Sequence, residues 1–313
     1  MRAVLAMLLV GLAAGAAWAD KGVVERDKVD VSPAKGVTID KVIIDNRFGK
    51  VTVKGHDSPG ITIIAHKRAP DEATLDRLKV SLVPDPAGPV SINTALLASE
   101  EGRPLSAGSI TIDLLVYVPR SARVDATTWT GAVALQDLDN GAAINTNEGD
   151  IDVKNCTGDI ETHAAQGTQE FVEIFGDLQA EGISGAMIMK VVKGDRLGAR
   201  MHDGTIAAKQ VRAREVALRT TSGDIEFDGE AVNGGSVRIV SHSGNVRVSF
   251  RQGTALRVDA FSKRGAIVAT GIELQRKGTR AFGSYGGGKD VAGVYMKTNL
   301  GNIQVGLVDE SEL

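Results

Sequence analysis

Apolar and polar residues alternate along most of this chain, and the alternation recurs around regularly placed glycines. The repeating pattern is apolar-x-apolar-x-small, then glycine three positions after the small residue, followed by a small or polar residue, Ile or Val, and a last apolar residue two positions on. It reads most clearly from Val216 to Phe227 around Gly223, and again from Val237 to Val248 around Gly244. Glycines in this register are Gly131, Gly149, Gly167, Gly185, Gly204, Gly223, Gly244, Gly265 and Gly301, with steps of 18, 18, 18, 19, 19, 21, 21 and 36 residues. Gly158, Gly176 and Gly194 fall midway between several of them, so one repeat holds two short strands and two turns.

Alternation with period two is the signature of a strand with one buried face. Stacking the copies produces apolar columns. Seven residues before the glycine stand Leu197, Val216, Val237, Val258 and Val294; five before it, Ala199, Leu218, Ile239, Ala260 and Met296; two after it, Ile206, Ile225, Val246, Ile267 and Ile303. One such strand cannot bury its apolar face alone, whereas repeated units coiled on one another share a continuous core. The expected fold is therefore all-β, a parallel β-solenoid of about eight or nine rungs spaced by about 4.8 Å, roughly 40 Å long. Each glycine allows a positive-φ turn or a close backbone approach between the two strands of a rung. The Ser, Thr, Asn and Asp residues around it can bond to the turn backbone.

An early copy runs from Val42 to Val53 around Gly49. The chain then departs from the pattern up to residue 123. Residues 61–65 and 109–118 alternate as strands, while Pro70 followed by Leu75, Leu78 and Leu82 predicts a short helix within residues 70–82. Residues 84–89 and 98–104 read as loops. The expected organisation is a signal peptide over residues 1–19, a charged mobile segment over 20–36, a β cap with one short helix over 37–123, and solenoid repeats over 124–308. The glycine-rich stretch 283–289 predicts a flexible insertion that, with one rung, accounts for the step of 36.

Residues 1–19 carry an early Arg2, an apolar run and Ala17-Trp18-Ala19 before Asp20, the form of a cleaved secretory signal. The run is shorter than the roughly 20 residues of a membrane span, and no lipoprotein cysteine follows the cut. No other segment is apolar enough to span a bilayer, so the mature chain is expected in the periplasm, at the cell surface or outside the cell. The formal charge is −3, becoming −4 without Arg2, which gives no general reason to seek nucleic acid or an anionic membrane. With one cysteine, Cys156, the fold must hold without an internal disulfide. Cys156 reads as a small buried residue, with a free thiol or an intermolecular bridge as the alternatives.

The run Ile110 to Pro119, then Val124-Asp125-Ala126 leading to Thr130-Gly131-Ala132-Val133, together with the Ser-Gly-Asp-Ile and Ser-Gly-Asn-Val copies, resembles a family of bacterial exported proteins described as candidate adhesins of unknown function. The resemblance covers about residues 37–307. It implies a parallel β-solenoid in the cell envelope and supplies no catalytic residues. Gln166-Gly167-Thr168-Gln169 and Gly194-Asp195-Arg196 depart from the pattern.

Candidate chemistry is sparse. Asp150, Asp159, Asp177, Asp195 and Asp224 follow glycines, as in calcium-binding nonapeptide repeats, but each nine residues holds too few oxygens for the six to eight that calcium takes, so turn capping is the better account. His202 and His242 share a column with Thr221 between them, about 9.6 Å apart, too far to share one zinc ion. Glu226 should face Arg247 as an exposed cross-rung ion pair, which also explains it without a glycosidase role. Ser222 and Ser243 lie in turns, Trp129 is the tryptophan left after cleavage, and Gly286-Gly287-Gly288 reads as an insertion tip. No catalytic, cofactor-binding or metal-binding residue is assigned. The expectation is a non-enzymatic envelope or secreted, adhesin-like interaction protein. Its solenoid presents a polar face to an unknown surface protein or glycan. A glycan-binding or polysaccharide-cleaving β-helix is the alternative.

Overall fold

The computed structural model describes residues 7–11, 22–33, 36–84, 89–98, 110–251, 253, 255–287 and 290–308. The protein is all-β: among the described residues the single helix is one turn, Glu72–Leu75. The signal-peptide expectation falls on residues 1–19, of which only Met7–Gly11 is described, a strand antiparallel to Asp27–Val31. The chain divides into two compact units, Met1–Asp152 and Val153–Leu313.

In the first unit the copies around Gly49, Gly131 and Gly149 lie parallel and in register. Val42 pairs with Val124, Ile44 with Ala126 and Asn46 with Thr128; on the next strand Ala142 pairs with Val124 and Thr146 with Thr128. After each glycine the same order holds, with Val51 beside Val133. The stack therefore joins Gly49 to Gly131 across 82 residues of chain. Those intervening residues build its end. Val90–Leu96 and Thr111–Pro119 lie on the far side of the Gly49 copy, parallel to it, with Val42 beside Val90 and Val51 beside Leu114.

Antiparallel strands then cover the outer edges. Leu78–Pro84 pairs with Val90–Leu96, Ile61–Ala69 with Thr111–Pro119, and Val23–Val31 with Ile61–Ala69. Covering an edge in this way removes a row of unpaired backbone groups that would otherwise template association.

Two expectations change here. Val23–Val31 falls within the segment expected to be mobile, yet it is a strand, because its charges meet partners across the ladder. Lys67 is buried, 3.2 Å from Glu25 and also bonded to Asp27. Burial by itself would push this ammonium down, but the hydrogen bonds and negative charges of Asp27 and Glu25 outweigh it and hold it above its ordinary value. The helix stops after one turn, capped by the Asp71 carboxylate, which accepts from the Thr74 N–H at 2.7 Å. Leu78 and Leu82 belong to the strand Leu78–Pro84 instead, where the alternation of Leu78, Val80 and Leu82 overrides their helical spacing. Of the two expected loops, residues 85–88 and 99–104 lie outside the described residues.

The second unit repeats the arrangement. Ile160 pairs with Leu178 and Gly167 with Gly185; Ile206 pairs with Ile225, Val216 with Val237, and Ile225 with Val246. All three apolar columns face inward, and no member is more than 7% exposed. Phe227 and Phe250 add a ring contact with centroids 5.7 Å apart.

The end of this unit also departs from chain order. Val237 pairs with Val294, and Val294 in turn with Val258; Val246 pairs with Ile303, and Ile303 with Ile267. The copy around Gly301 is thus inserted between those around Gly244 and Gly265. The stretch expected to be a flexible insertion starts as strand up to Tyr285, while residues 288–289 lie outside the described residues. The step of 36 holds a hairpin, Leu274–Lys277 with Arg280–Tyr285, whose second strand pairs antiparallel with Leu256–Ser262 and covers its edge.

Candidate functional site

The turns themselves consume most of the residues that looked chemically suggestive. At most of the in-register glycines the backbone of one copy presses on the next: a Cβ at Gly223 would lie 2.1 Å from the Gly204 carbonyl oxygen, and φ there is +137°. Only glycine fits both constraints.

The carbonyls at these bends are satisfied from inside. Three residues before the glycine stands a buried hydroxyl in several copies. Thr220 donates to the Gly204 carbonyl at 3.1 Å, Ser241 to Gly223 at 3.0 Å, Thr298 to Gly244 at 2.8 Å and Ser262 to Gly301 at 2.8 Å. The irregular middle copies use another device. Gln169, fully buried, accepts from the Thr162 hydroxyl at 2.6 Å and donates to the Glu181 carbonyl at 2.7 Å.

Residues just after the glycine form an outer ladder. The Asp224 carboxylate accepts from the Asn245 N–H at 2.7 Å, the Asn245 side-chain oxygen from the Asn302 N–H at 3.0 Å, and the Asn302 side-chain oxygen from the Ala266 N–H at 2.9 Å. After the midway glycine Gly176, Asp177 accepts from the Arg196 N–H at 2.9 Å and from its guanidinium at 2.8 Å. Desolvation would raise the Asp177 carboxyl, but these bonds, the charge of Arg196 and the Asp195 N–H hold it below its ordinary value. Asp177 and Asp224 therefore cap turns. Among the described residues no group of three His, Cys, Asp or Glu side chains is placed to hold a metal ion.

The remaining candidates separate. His202 and His242 are exposed, and His242 Nδ1 lies 2.9 Å from the Asn299 amide, a neighbour supplied by the inserted copy. Glu226 does sit beside Arg247 in register, but among the described residues no ion pair joins them; the Arg247 Nε donates to Gln304 at 3.2 Å. Ser222 accepts a hydrogen bond from Thr220 through its backbone carbonyl. Trp129 is 65% exposed in the first unit.

Cys156 is buried, as are Ile174, Val192 and Val211, and Ile174 pairs with Val192. Each follows a left-handed corner residue, respectively Asn155, Glu173, Val191 and Gln210, with φ between 49° and 58°. Gly286 ends the hairpin strand with φ +70°, while Gly288 lies outside the described residues.

What the structure adds is a shallow groove on the outer face of the second unit, about 200 Å³, running across four copies. A second depression of about 250 Å³ shares its Glu181, Arg200 and Arg219. Strand alternation points Arg200, Arg219 and Arg238 outward, and all three are exposed. Gly198 and Ala217, six residues before their glycines, keep the floor low. Gln179 folds over Gly198, where a Cβ would meet its amide oxygen at 2.0 Å. Glu181 lies 4.0 Å from His163, and Arg238 covers the Tyr295 ring at 4.6 Å. The groove offers guanidinium and amide donors along a line. The signal for it stood in the sequence as Arg200 and Arg219, each four before its glycine, and appears only when outward columns are stacked like inward ones.

Each unit holds parallel copies around in-register glycines, and a family profile matches residues 24–306. The chain belongs to the Toastrack DUF4097 family. No curated protein matches this Toastrack chain. Solved structures similar to it include a candidate adhesin from Bacteroides fragilis, 12% identical, with 90% of this chain and 97% of that one covered and a TM-score of 0.42. Another candidate adhesin, from Parabacteroides distasonis, is 9% identical, with 92% and 98% covered and a TM-score of 0.39. A candidate lipid-binding protein from the same species is 8% identical, with 90% and 96% covered and a TM-score of 0.27. Among the described residues no helix is long and apolar enough to cross a membrane.

Proposed function

We propose that this Toastrack protein is exported through a cleaved signal peptide over residues 1–19 and works in the cell envelope or outside the cell. There it acts as a non-enzymatic, adhesin-like interaction module. Its stacked copies form a parallel β-solenoid whose outward columns are the binding face. The carrying observation is the register. Val216, Val237 and Val294 are paired neighbours, so the residues between the core positions repeat outward at about 4.8 Å and face a partner as a line of contacts. Many weak contacts held in line sum without a deep pocket.

The test is binding of the purified mature chain to immobilised envelope polysaccharides and to intact cells, with release of new reducing ends measured in parallel. Saturable binding without turnover supports the proposal. Sugar release would replace it with a polysaccharide-cleaving role, and absence of binding to any surface would overturn it.

A further inference from the structure

We infer that the groove over Arg200, Arg219 and Arg238 grips a linear acidic polysaccharide, one that carries carboxylate or sulfate groups along its chain. This deepens the interaction proposal above and rests on it. Arg200 and Arg219 occupy the same outward position in adjacent copies, with backbones about 4.8 Å apart. Like charges facing each other across a sheet are destabilising.

Five outward cations elsewhere in this unit are neutralised: Arg196 pairs with Asp177, Lys190 with Glu170, Arg212 and Arg251 with Glu230, and Arg280 with Asp259. Among the described residues, none of the three groove arginines has an acidic partner. The acids at hand are Glu181, which holds the position equivalent to Arg200 one copy earlier and lies 4.0 Å from His163, and Glu161, in register with Gln179. Three guanidinium groups against two carboxylates leave a positive strip on a chain whose formal charge is −3. An external anion seated between Arg200 and Arg219 removes their repulsion, and guanidinium matches carboxylate and sulfate geometry.

Shape narrows the ligand. About 200 Å³ falls below the volumes that enclose a small molecule, whereas a shallow groove running across four copies takes a chain lying along it. The Gln179 amide beside the low floor at Gly198 can both donate to and accept from sugar hydroxyls. Single-stranded nucleic acid instead uses aromatic platforms for its bases. No aromatic residue lines the groove among the described residues, and the Tyr295 ring beside Arg238 already has a face covered by that guanidinium.

The test measures binding of the mature protein to polygalacturonate, dextran sulfate, neutral dextran and single-stranded DNA. Polygalacturonate or dextran sulfate is expected to bind and dextran not to. The Arg200→Ala/Arg219→Ala variant should weaken that binding by about tenfold and lower its salt slope by about two, and Arg200→Lys/Arg219→Lys should restore part of it. Melting temperatures of the variants no lower than that of wild type show that the fold is kept, and relief of the Arg200–Arg219 repulsion should raise that of the alanine variant slightly. The inference is overturned by no binding to either polyanion, by unweakened binding in the alanine variant, or by preference for the DNA. If the polyanions fail while binding to envelope polysaccharide or cells persists, the groove inference falls and the interaction proposal stands. If binding depends on the arginines but reducing ends accumulate, the site stands and the non-enzymatic proposal falls.

Discussion

The hydroxyl of Thr298 donates to the carbonyl of Gly244 at 2.8 Å, although the next copy along the chain is the one around Gly265. The bond exists because residues 294–303 slot back between two copies already made. Thr298 is fully buried, so removing its hydroxyl leaves that part-buried carbonyl without its side-chain donor. Thr298→Val should cost about 1–3 kcal/mol in chemical unfolding, and Thr298→Ser markedly less. Equal stability of Val and wild type would show that the carbonyl does not depend on this bond.

Ile225 lies between Ile206 and Val246 in the column two after the glycine and is 1% exposed. Ile225→Asp places a carboxylate with no partner in the stacked core and should cost about 3 kcal/mol or more, or prevent folding. Near-native melting would mean that the column does not face inward.

Val191 holds a left-handed conformation, φ +58°, at a corner where Asn155 and Gln210 stand in equivalent positions. A β-branched residue is strained there. Val191→Asn should raise stability by about 1 kcal/mol, read as a higher denaturation midpoint, whereas a loss would show that packing of the valine methyls outweighs the backbone strain.

Stability should fall at both pH extremes for separate reasons. Asp177 has a lowered folded-state pKa, so its contribution is present above its ordinary value of 3.8 and is lost as pH falls through the lower folded value. Lys67 has a raised one, so its contribution is complete below its ordinary 10.5 and is lost as pH rises through the higher folded value. Melting curves against pH should show Asp177→Asn flattening the acid limb and Lys67→Met flattening the alkaline limb. If neither substitution changes its limb, other groups govern it.

The repeat was legible in the sequence because its constraints are local. Gly223 needs positive φ and the absence of a Cβ, and the alternation around it records which side chains face inward. Neighbour order was not legible, because equivalent strands present interchangeable edges. Nothing in the residues around Gly301 tells whether Val294 will lie on Val258 alone or between Val258 and Val237. The same ambiguity hid the return of Val124 onto Val42. The strand at Val23–Val31 was obscured because two of its inward positions are acids, Glu25 and Asp27, which pair with Lys67 and interrupt the apolar periodicity of Val23, Val29 and Val31. At the candidate site, Arg200 and Arg219 were visible as residues, but their unpaired state depends on which acids their neighbours engage.

The stacking order is tested most directly by cysteine cross-linking in a Cys156→Ala background. Arg238 and Tyr295 are paired neighbours, and Tyr295 is paired with Asp259 on its other side. Adjacent strands lie about 4.8 Å apart and alternate strands about 9.6 Å, and only the first distance permits a disulfide. Arg238→Cys with Tyr295→Cys should oxidise to a cross-linked chain of native stability, while Arg238→Cys with Asp259→Cys should keep both thiols free. A bond between positions 238 and 259, with 238 and 295 left reduced, would contradict the inserted copy and the order of the whole stack.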